Sequence, residues 1–460
     1  MDDLSPSLVT RITGVIHKQI ASRQLSLGAR LPSIRSLAEA QGVSKSTVVD
    51  AYDRLVAEGV ITSRRGSGYF VAAPTAPLAL SDIGPALDRQ IDPLWLSRQS
   101  LETPDDYLKP GCGWLPPSWM PEDDIRRALR AVARNPKSNL VEYATPLGHL
   151  PLRQILSRRL GELDITVAPQ QIMLVDSATQ AIELLCRFLL KPGDTVLVDD
   201  PCYFNFLAKL RAHGVKVVGV ARTAHGPDMA AFSAALEAHK PRLYITNTAL
   251  HNPTGTTLSP LMAHRLLKLA EAHDLTIIED DIYADFEPEP SARLTAFDGF
   301  ERVIYVGGFS KTLSASMRCG YICVRGDWID ALIDLKIATI FSSHQLPAEL
   351  VCAVISDGHY RKHVELIRQK LAALRGRTVE SFERMGFKIG VVPQAGMFLW
   401  CELPGGRDAS ELAKRALAEK IVLAPGNAFS LSQSASGFLR FNIAQSQDGR
   451  VFEFLKRALG

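Results

Sequence analysis

Residues 31–71 read LPSIRSLAEAQGVSKSTVVDAYDRLVAEGVITSRRGSGYFV. The segment Ser33 to Gln41 reads as a short helix, and Gly42 breaks it. Ser44 can cap a second helix running to about Ala57. Val48, Tyr52, Leu55 and Val56 recur at i, i+4, i+7 and i+8 and give that helix a buried stripe. Gly59 stops it. Val60–Ser63 and Tyr69–Ala72, joined at Arg65-Gly66-Ser67-Gly68, read as a two-stranded hairpin. Upstream, residues 6–23 form an amphipathic helix with Leu8, Ile12, Val15, Ile16 and Ile20 on one face. A helix, a glycine-broken turn, a capped helix and a hairpin with a basic tip together predict a winged helix-turn-helix over residues 1–72.

Such a module reads DNA with the exposed start of its second helix. Here Ser44, Lys45, Ser46 and Thr47 are small, polar or basic and can reach base edges and phosphates. The helix N-terminus adds free N–H groups and a positive dipole end. Arg35, Arg64 and Arg65 are placed for phosphate contacts. Taken alone, the same residues also describe a small packing domain with a solvated surface.

Beyond residue 72 the sequence changes character. The run APTAPLALSDIGPAL, residues 73–87, opens a linker expected to extend to residue 104. From residue 105 to 460, short apolar β-branched runs alternate with helical patterns. The strand candidates are Ile172–Val175, Thr195–Val198, Leu243–Thr246, Leu275–Glu279 and Val303–Val306. Helices are expected at about 178–190, 201–213, 259–273 and 326–341. The runs are apolar throughout, as in strands buried on both faces of a mostly parallel sheet. This predicts a large α/β lobe. A long helix after 345, strands at Lys388–Val392 and Met397–Leu403 and a closing helix predict a smaller α+β lobe.

Composition narrows the class. The chain has 460 residues, 46% hydrophobic and 22% charged, as in a globular protein of two or three domains. No apolar run approaches the roughly 18–20 residues of a membrane span, and no signal peptide is expected, which places the protein in the cytoplasm. Its 7 cysteines are scattered without a paired spacing, which fits reduced thiols and argues against a metal site. The net charge of +3 is unevenly spread. Residues 1–72 hold nine basic and six acidic side chains, and the remainder holds 43 of each.

In an open α/β sheet, ligands bind at the carboxyl ends of the strands. Five such ends carry polar or aromatic groups. They are Asp176-Ser177-Ala178-Thr179, Asp199-Asp200-Pro201-Cys202-Tyr203, His251-Asn252-Pro253-Thr254-Gly255, Asp280-Asp281-Ile282-Tyr283 and Gly307-Gly308-Phe309-Ser310-Lys311. Singly each has an ordinary alternative: a surface lysine, a helix cap, a core aromatic. Together they predict one rim.

The motifs of residues 8–72, LPSxRxLA, SxxTVxxAYxxLxxEG and the GxGxxV wing, resemble the winged-helix domain of GntR-type regulators. The strand-end motifs resemble a fold-type I aminotransferase from about Tyr107 onward. The combination resembles the MocR subfamily of transcriptional regulators. That resemblance implies pyridoxal 5'-phosphate, with Lys311 as its Schiff-base lysine and Asp280 on the pyridine nitrogen. Tyr283 and Asn252 would bond the phenolic oxygen, and Tyr203 would stack on the ring. Ala178, Thr179, Ser310 and Arg318 would hold the phosphate. Arg440, in LRFNIA, would grip an effector carboxylate, and Tyr143 would enter the neighbouring subunit's site. A homodimer is implied, binding repeated or palindromic operator half-sites in double-stranded DNA. The signal would be an amino compound, sensed by external aldimine formation at the cofactor.

Two positions depart from the aminotransferase pattern. Gly308 stands where Ser or Thr often serves the phosphate, and DSAT at 176–179 replaces SGxQ. Both bear on transamination, so the alternatives are a working aminotransferase with an attached DNA-binding domain, or a large domain used only for dimerisation.

Overall fold

The computed structural model describes residues 7–22, 24–26, 28–64, 66–72, 93–138 and 140–460. Arg65 and residues 73–92, the greater part of the expected linker, lie outside them. The chain forms two units, Met1–Asp82 and Ile83–Gly460.

In the first unit, α1 (Leu8–Ala21), α2 (Ile34–Gln41) and α3 (Lys45–Ala57) precede a hairpin of β1 (Ile61–Arg64) and β2 (Gly68–Val71). The helices start where serines cap them. Ser7, Ser33 and Ser44 each accept a hydrogen bond from the backbone N–H three residues on. Gly42 ends α2 in the left-handed conformation, as its lack of a Cβ allows. The core joins Ile12 and Ile16 of α1 to Leu37, Val48, Tyr52 and Leu55, and to Ile61 and Val71 of the hairpin. Tyr52 fixes the wing: its ring meets Tyr69 edge-on at 4.6 Å, and its hydroxyl donates to the Pro32 carbonyl at 2.8 Å. Of the expected stripe of α3, Val48, Tyr52 and Leu55 are buried. Ala51 is buried and Val56 faces outward, because the hairpin covers the Tyr52 side.

The second unit begins earlier than the expected linker end at residue 104. Residues Pro93–Glu102 form a helix, α4, that packs on the helix Phe204–Ala212. Leu96 is buried there in a cluster with Phe204 and Phe429. Burial of this apolar side chain fixes a stretch that its composition left as linker.

The large lobe holds an eight-stranded sheet. Its strands in chain order are β3 (Ile172–Val175), β4 (Thr195–Asp200), β5 (Lys216–Thr223), β6 (Gly226–Pro227), β7 (Leu243–Thr246), β8 (Thr276–Asp280), β9 (Val303–Gly308) and β10 (Gly320–Cys323). Their spatial order is β3-β10-β9-β8-β7-β4-β5-β6. The contiguous pairs from β5 to β9 are parallel. Antiparallel β10, unforeseen in the sequence, separates β9 from β3. All five expected strands are present, and β3, β7 and most of β8 and β9 are fully buried. The smaller lobe contains β11 (Lys388–Ile389), β12 (Phe398–Glu402), β13 (Ala424–Pro425) and β14 (Phe438–Asn442) in the order β11-β12-β14-β13. The 26-residue helix His359–Arg384 leads into it. No helix among the described residues is long and apolar enough to cross a membrane.

Candidate functional site

The carboxyl ends of β3, β4, β8 and β9 meet at a cavity of about 280 Å³. All ten residues expected around the cofactor and effector line it: Ala178, Thr179, Tyr203, Asn252, Asp280, Tyr283, Ser310, Lys311, Arg318 and Arg440. They come from segments up to 262 residues apart, between Ala178 and Arg440.

Lys311 follows β9, and its Nζ donates to the Gly113 carbonyl at 2.8 Å. Burial lowers its pKa to about 8, and the nearby Arg440 pushes the same way while Asp280 opposes. The amine therefore reaches its neutral, nucleophilic form far more readily than a surface lysine. Asp280, at the end of β8, shows the opposite displacement. Burial raises its carboxyl to about 7, and neighbouring Asp281 adds to the effect. Its Oδ1 is buried without a hydrogen-bond partner. Such an orphan acceptor costs free energy unless a donor arrives.

Arg440, on β14, crosses from the smaller lobe into the cavity. Its Nη1 donates to Asn252 Oδ1 at 2.8 Å, and its Nη2 to the Gly111 carbonyl at 2.6 Å. Phe398 and Phe429 flank the guanidinium at 4.5 and 4.7 Å. It forms no ion pair among the described residues, and its buried Nε has no partner. Asn252 Nδ2 donates to the Tyr283 hydroxyl at 3.3 Å. Burial drives the Tyr283 phenol well up, and Arg440 counters it. Tyr203 stands beside Phe204 and Phe206, and burial raises its phenol too.

The two departures from the aminotransferase pattern have different structural consequences. Ser177 is a working N-cap: its Oγ accepts from the Gln180 N–H at 3.1 Å, starting the helix Ala178–Leu189. Gln180 returns to bond both the backbone and the carboxylate of Asp176. The loop is thus held by its own hydrogen bonds, with helix N–H groups facing the cavity. β10 passes so close beneath it that a Cβ at Gly320 would lie 2.6 Å from the Ser177 carbonyl carbon. Gly308 is a real omission of a hydroxyl. A Cβ there would meet nothing closer than the Cys319 carbonyl at 3.4 Å.

Behind the strand ends lies a buried charge network invisible as a motif. Asp199 accepts from Tyr244, Thr246 and Arg222 at 2.7, 2.6 and 3.1 Å. Despite its complete burial, Arg222 and His251 hold its carboxyl well below the usual range. Burial lowers His251 to about 4, so it is neutral. Its other ring nitrogen faces Thr254 at 2.9 Å. This network braces the His251–Gly255 turn that presents Asn252.

Tyr143 is not brought into the cavity. It is 78% exposed and rests edge-on against Phe341 at 4.9 Å.

In the first unit, Ser44, Lys45 and Ser46 are exposed at the start of α3. The Ser44 hydroxyl is shared with Ser46 and Thr47 at 2.8 and 2.7 Å. Arg35 is exposed and pairs with Glu39 at 3.1 Å. Arg64 lies over the Phe70 ring at 4.5 Å. Arg65 is outside the described residues. The structure adds Arg30, which bridges to Phe70 of the wing and lies beside Gly68. Its place between α1 and α2 carries no motif, since only the folded hairpin brings β2 back to it.

A domain of this shape, with a lysine and an unsatisfied aspartate facing one another across strand ends, defines the fold-type I class of pyridoxal-phosphate proteins. The sequence comparisons agree. Residues 119–457 match the family model for aminotransferase class I and II, and residues 8–71 match that for bacterial regulatory proteins of the gntR family. The chain is 30% identical over 456 residues to the HTH-type transcriptional regulator YdcR of Escherichia coli, covering 96% of each. It is 29% identical to the probable rhizopine catabolism regulatory protein MocR of Rhizobium meliloti, covering 78% of this chain and 73% of that one. Among solved structures, it resembles LysN, an α-aminoadipate aminotransferase of Thermus thermophilus bound to N-(5'-phosphopyridoxyl)-L-leucine. The TM-score is 0.72 at 25% identity, over 79% of this chain and 94% of that one. The chain belongs to the aminotransferase class I and II family and, through its gntR-type domain, to the MocR group of DNA-binding transcription regulators.

Pyridoxal phosphate is the cofactor this family uses, and the residues fit it. The orphan Oδ1 of Asp280 suits a pyridine N–H, and the amine of Lys311 suits an aldehyde.

Proposed function

We propose that this protein is a cytoplasmic transcription regulator that senses an amino acid or related amine at its cofactor pocket and transmits binding to the DNA reader. One observation carries the reading. A chain with a gntR-type domain also places Lys311, the orphan acceptor of Asp280 and the unpaired Arg440 around one cavity.

Bound pyridoxal phosphate supplies an aldehyde that condenses with amines and a ring that withdraws electrons. Asp280, with its partnerless Oδ1, would pair with the ring nitrogen. Tyr283 and Asn252 would bond the ring oxygen, and Tyr203 would cover the ring face. Ala178, Thr179, Ser310 and Arg318 would hold the phosphate. Lys311, its amine made readily neutral by burial, would hold the cofactor's aldehyde and would be the group an effector amine competes with. Arg440 holds the amine's carboxylate. Because Arg440 belongs to the smaller lobe, its engagement draws that lobe toward the sheet ends. Such closure shifts the population of regulator conformations only as far as the bound amine favours the closed form.

The working unit is a homodimer. Leu140, Val141, Tyr143, Leu150, Ile337 and Phe341 are exposed apolar side chains of the large lobe, more than a monomer's surface needs to show. Tyr143 then serves the partner's pocket. Two readers bind repeated or palindromic half-sites, with Ser44, Lys45, Ser46 and Thr47 at the major groove. Arg30, Arg35, Arg64 and Arg65 bind the phosphates.

The test is a spectral titration of the cofactor-loaded protein with a panel of amines, read alongside binding to its own upstream DNA. An amine that shifts the absorbance and changes DNA affinity is the expected result. No effect of any responding amine on DNA binding would overturn the sensing role.

A second reading has its own support. The Arg440–Asn252 pair is complete and its guanidinium unneutralised, as a transaminase requires. Multiple turnovers with an amino acid and a keto acid, at ordinary enzyme rates of about 1 s⁻¹ or more, would establish it.

A further inference from the structure

The cavity is lined by two lysines, and the proposed function uses only one. The first, Lys311, lies in the field of Arg440, Asp280 and Arg318. The second is Lys209, on the helix Phe204–Ala212. The groups that act on Lys209 are a different set, Glu183 and the Cys186 thiol. Lys209 and Asn205 are spaced i and i+4, so they share one face of their helix, and both line the cavity. Ser97 and Ser100 of α4 line it with them. Ser100 is buried.

Lys209 is half-buried, and its ammonium makes no hydrogen bond or ion pair among the described residues. Its nearest acid is already engaged: Glu183 pairs with Arg187 at 3.0 Å and with His213 at 3.2 Å. Burial pushes the Lys209 ammonium below its ordinary range. A partly desolvated ammonium without an ion-pair partner, lining a ligand cavity, is stabilised when an anion joins it. Ser97, Ser100 and Asn205 line the same cavity with hydroxyl and amide groups able to bond an anion. Lys311 and Arg440 line it too.

We propose that the effector is an amino acid with a second, distal anionic group, received by Lys209 with Asn205 and Ser97. This rests on the sensing reading and specifies its ligand. Lys209 discriminates by charge: an acidic end pairs with it, whereas the corresponding amide leaves the ammonium unneutralised.

The experiment is a titration of cofactor absorbance in the full-length, cofactor-loaded protein. The probes are aspartate, glutamate and 2-aminoadipate, each against its own amide. For at least one length the acid should bind about tenfold or more tightly than its amide. K209M should lose that preference while keeping the affinity for the amide, and K209R should retain it. N205D, which adds a negative charge on the same helix face, should weaken the acid more than its amide; it also covers the case in which K209M does not fold. Equal binding of acids and amides by the parent at every length would overturn the inference and leave amine sensing standing. No spectral response to any amino acid would overturn both. A K209M protein that holds cofactor more weakly yet, once reloaded with it, keeps the acid preference would place Lys209 on the cofactor phosphate instead, and would equally overturn it.

Discussion

The two units place their functional side chains in opposite ways. The DNA reader offers a contiguous stretch, Ser44 to Thr47, on an exposed helix start, with Lys45 open to solvent. The pocket gathers Asn252, Asp280, Lys311 and Arg440 from separate segments and removes them from water, moving the Lys311 and Asp280 pKa values toward each other. A reader of phosphates works through exposed charge, whose local pKa hardly matters and whose strength salt can screen. A covalent pocket works through buried charge, where desolvation sets the reactivity. Substitutions should therefore act locally and modestly in the first unit and drastically in the second.

The largest expected effect is Lys311→Ala. After borohydride reduction, mass spectrometry should find the cofactor on Lys311 in the parent and on no residue in the variant. The variant should still bind DNA, and loss of DNA binding in a folded variant would break the contrast between the units. Next is Arg440→Met. Two charge-assisted hydrogen bonds to a carboxylate are worth about 3 kcal/mol, or about a hundredfold in affinity. Amino acids should lose that much in titration, while simple amines lose little.

The pH profile sharpens the buried side of the comparison. The Lys311 amine has its pKa lowered to about 8. In cofactor-free protein, the rate of reconstitution with pyridoxal phosphate should rise ~tenfold per pH unit below pH 8 and level off above it, as the neutral amine accumulates. A rise continuing to pH 10 would mean that the amine is solvated. The exposed side predicts smaller steps. Arg30→Ala and Lys45→Ala should each weaken DNA binding and reduce the salt slope by about one. A variant matching the parent at every salt concentration would remove that residue from the interface. The smallest effect is Gly308→Ser. The backbone leaves room for the side chain near the Ala178 amide. One added hydrogen bond should tighten cofactor retention about two- to fivefold in equilibrium dialysis.

Much of this was legible in the sequence for a physical reason. Lys311, Asp280, Asn252 and Tyr203 each follow a short apolar strand, so chain order alone assigned them to one rim. The serine caps and the Tyr52 stripe likewise act within a few residues. The helix α4 was misread as linker because its single buried leucine has meaning only against Phe204 and Phe429. Strand β10 went unseen because GYIC is short and has no local turn signal. Lys209 and Arg30 belong to no sequence motif, and packing alone places one in the cavity wall and the other beside the wing.

By itself, then, the sequence determined the two-unit plan, the class of each unit and the identities of the reactive side chains, since periodicity, caps and strand-end motifs are local. Only the tertiary structure decided which charges are buried, which remain unpaired and which line the same cavity. Those properties depend on desolvation and on neighbours distant along the chain. The lowered pKa of Lys311 and the un-ion-paired guanidinium of Arg440 both come from the fold around them.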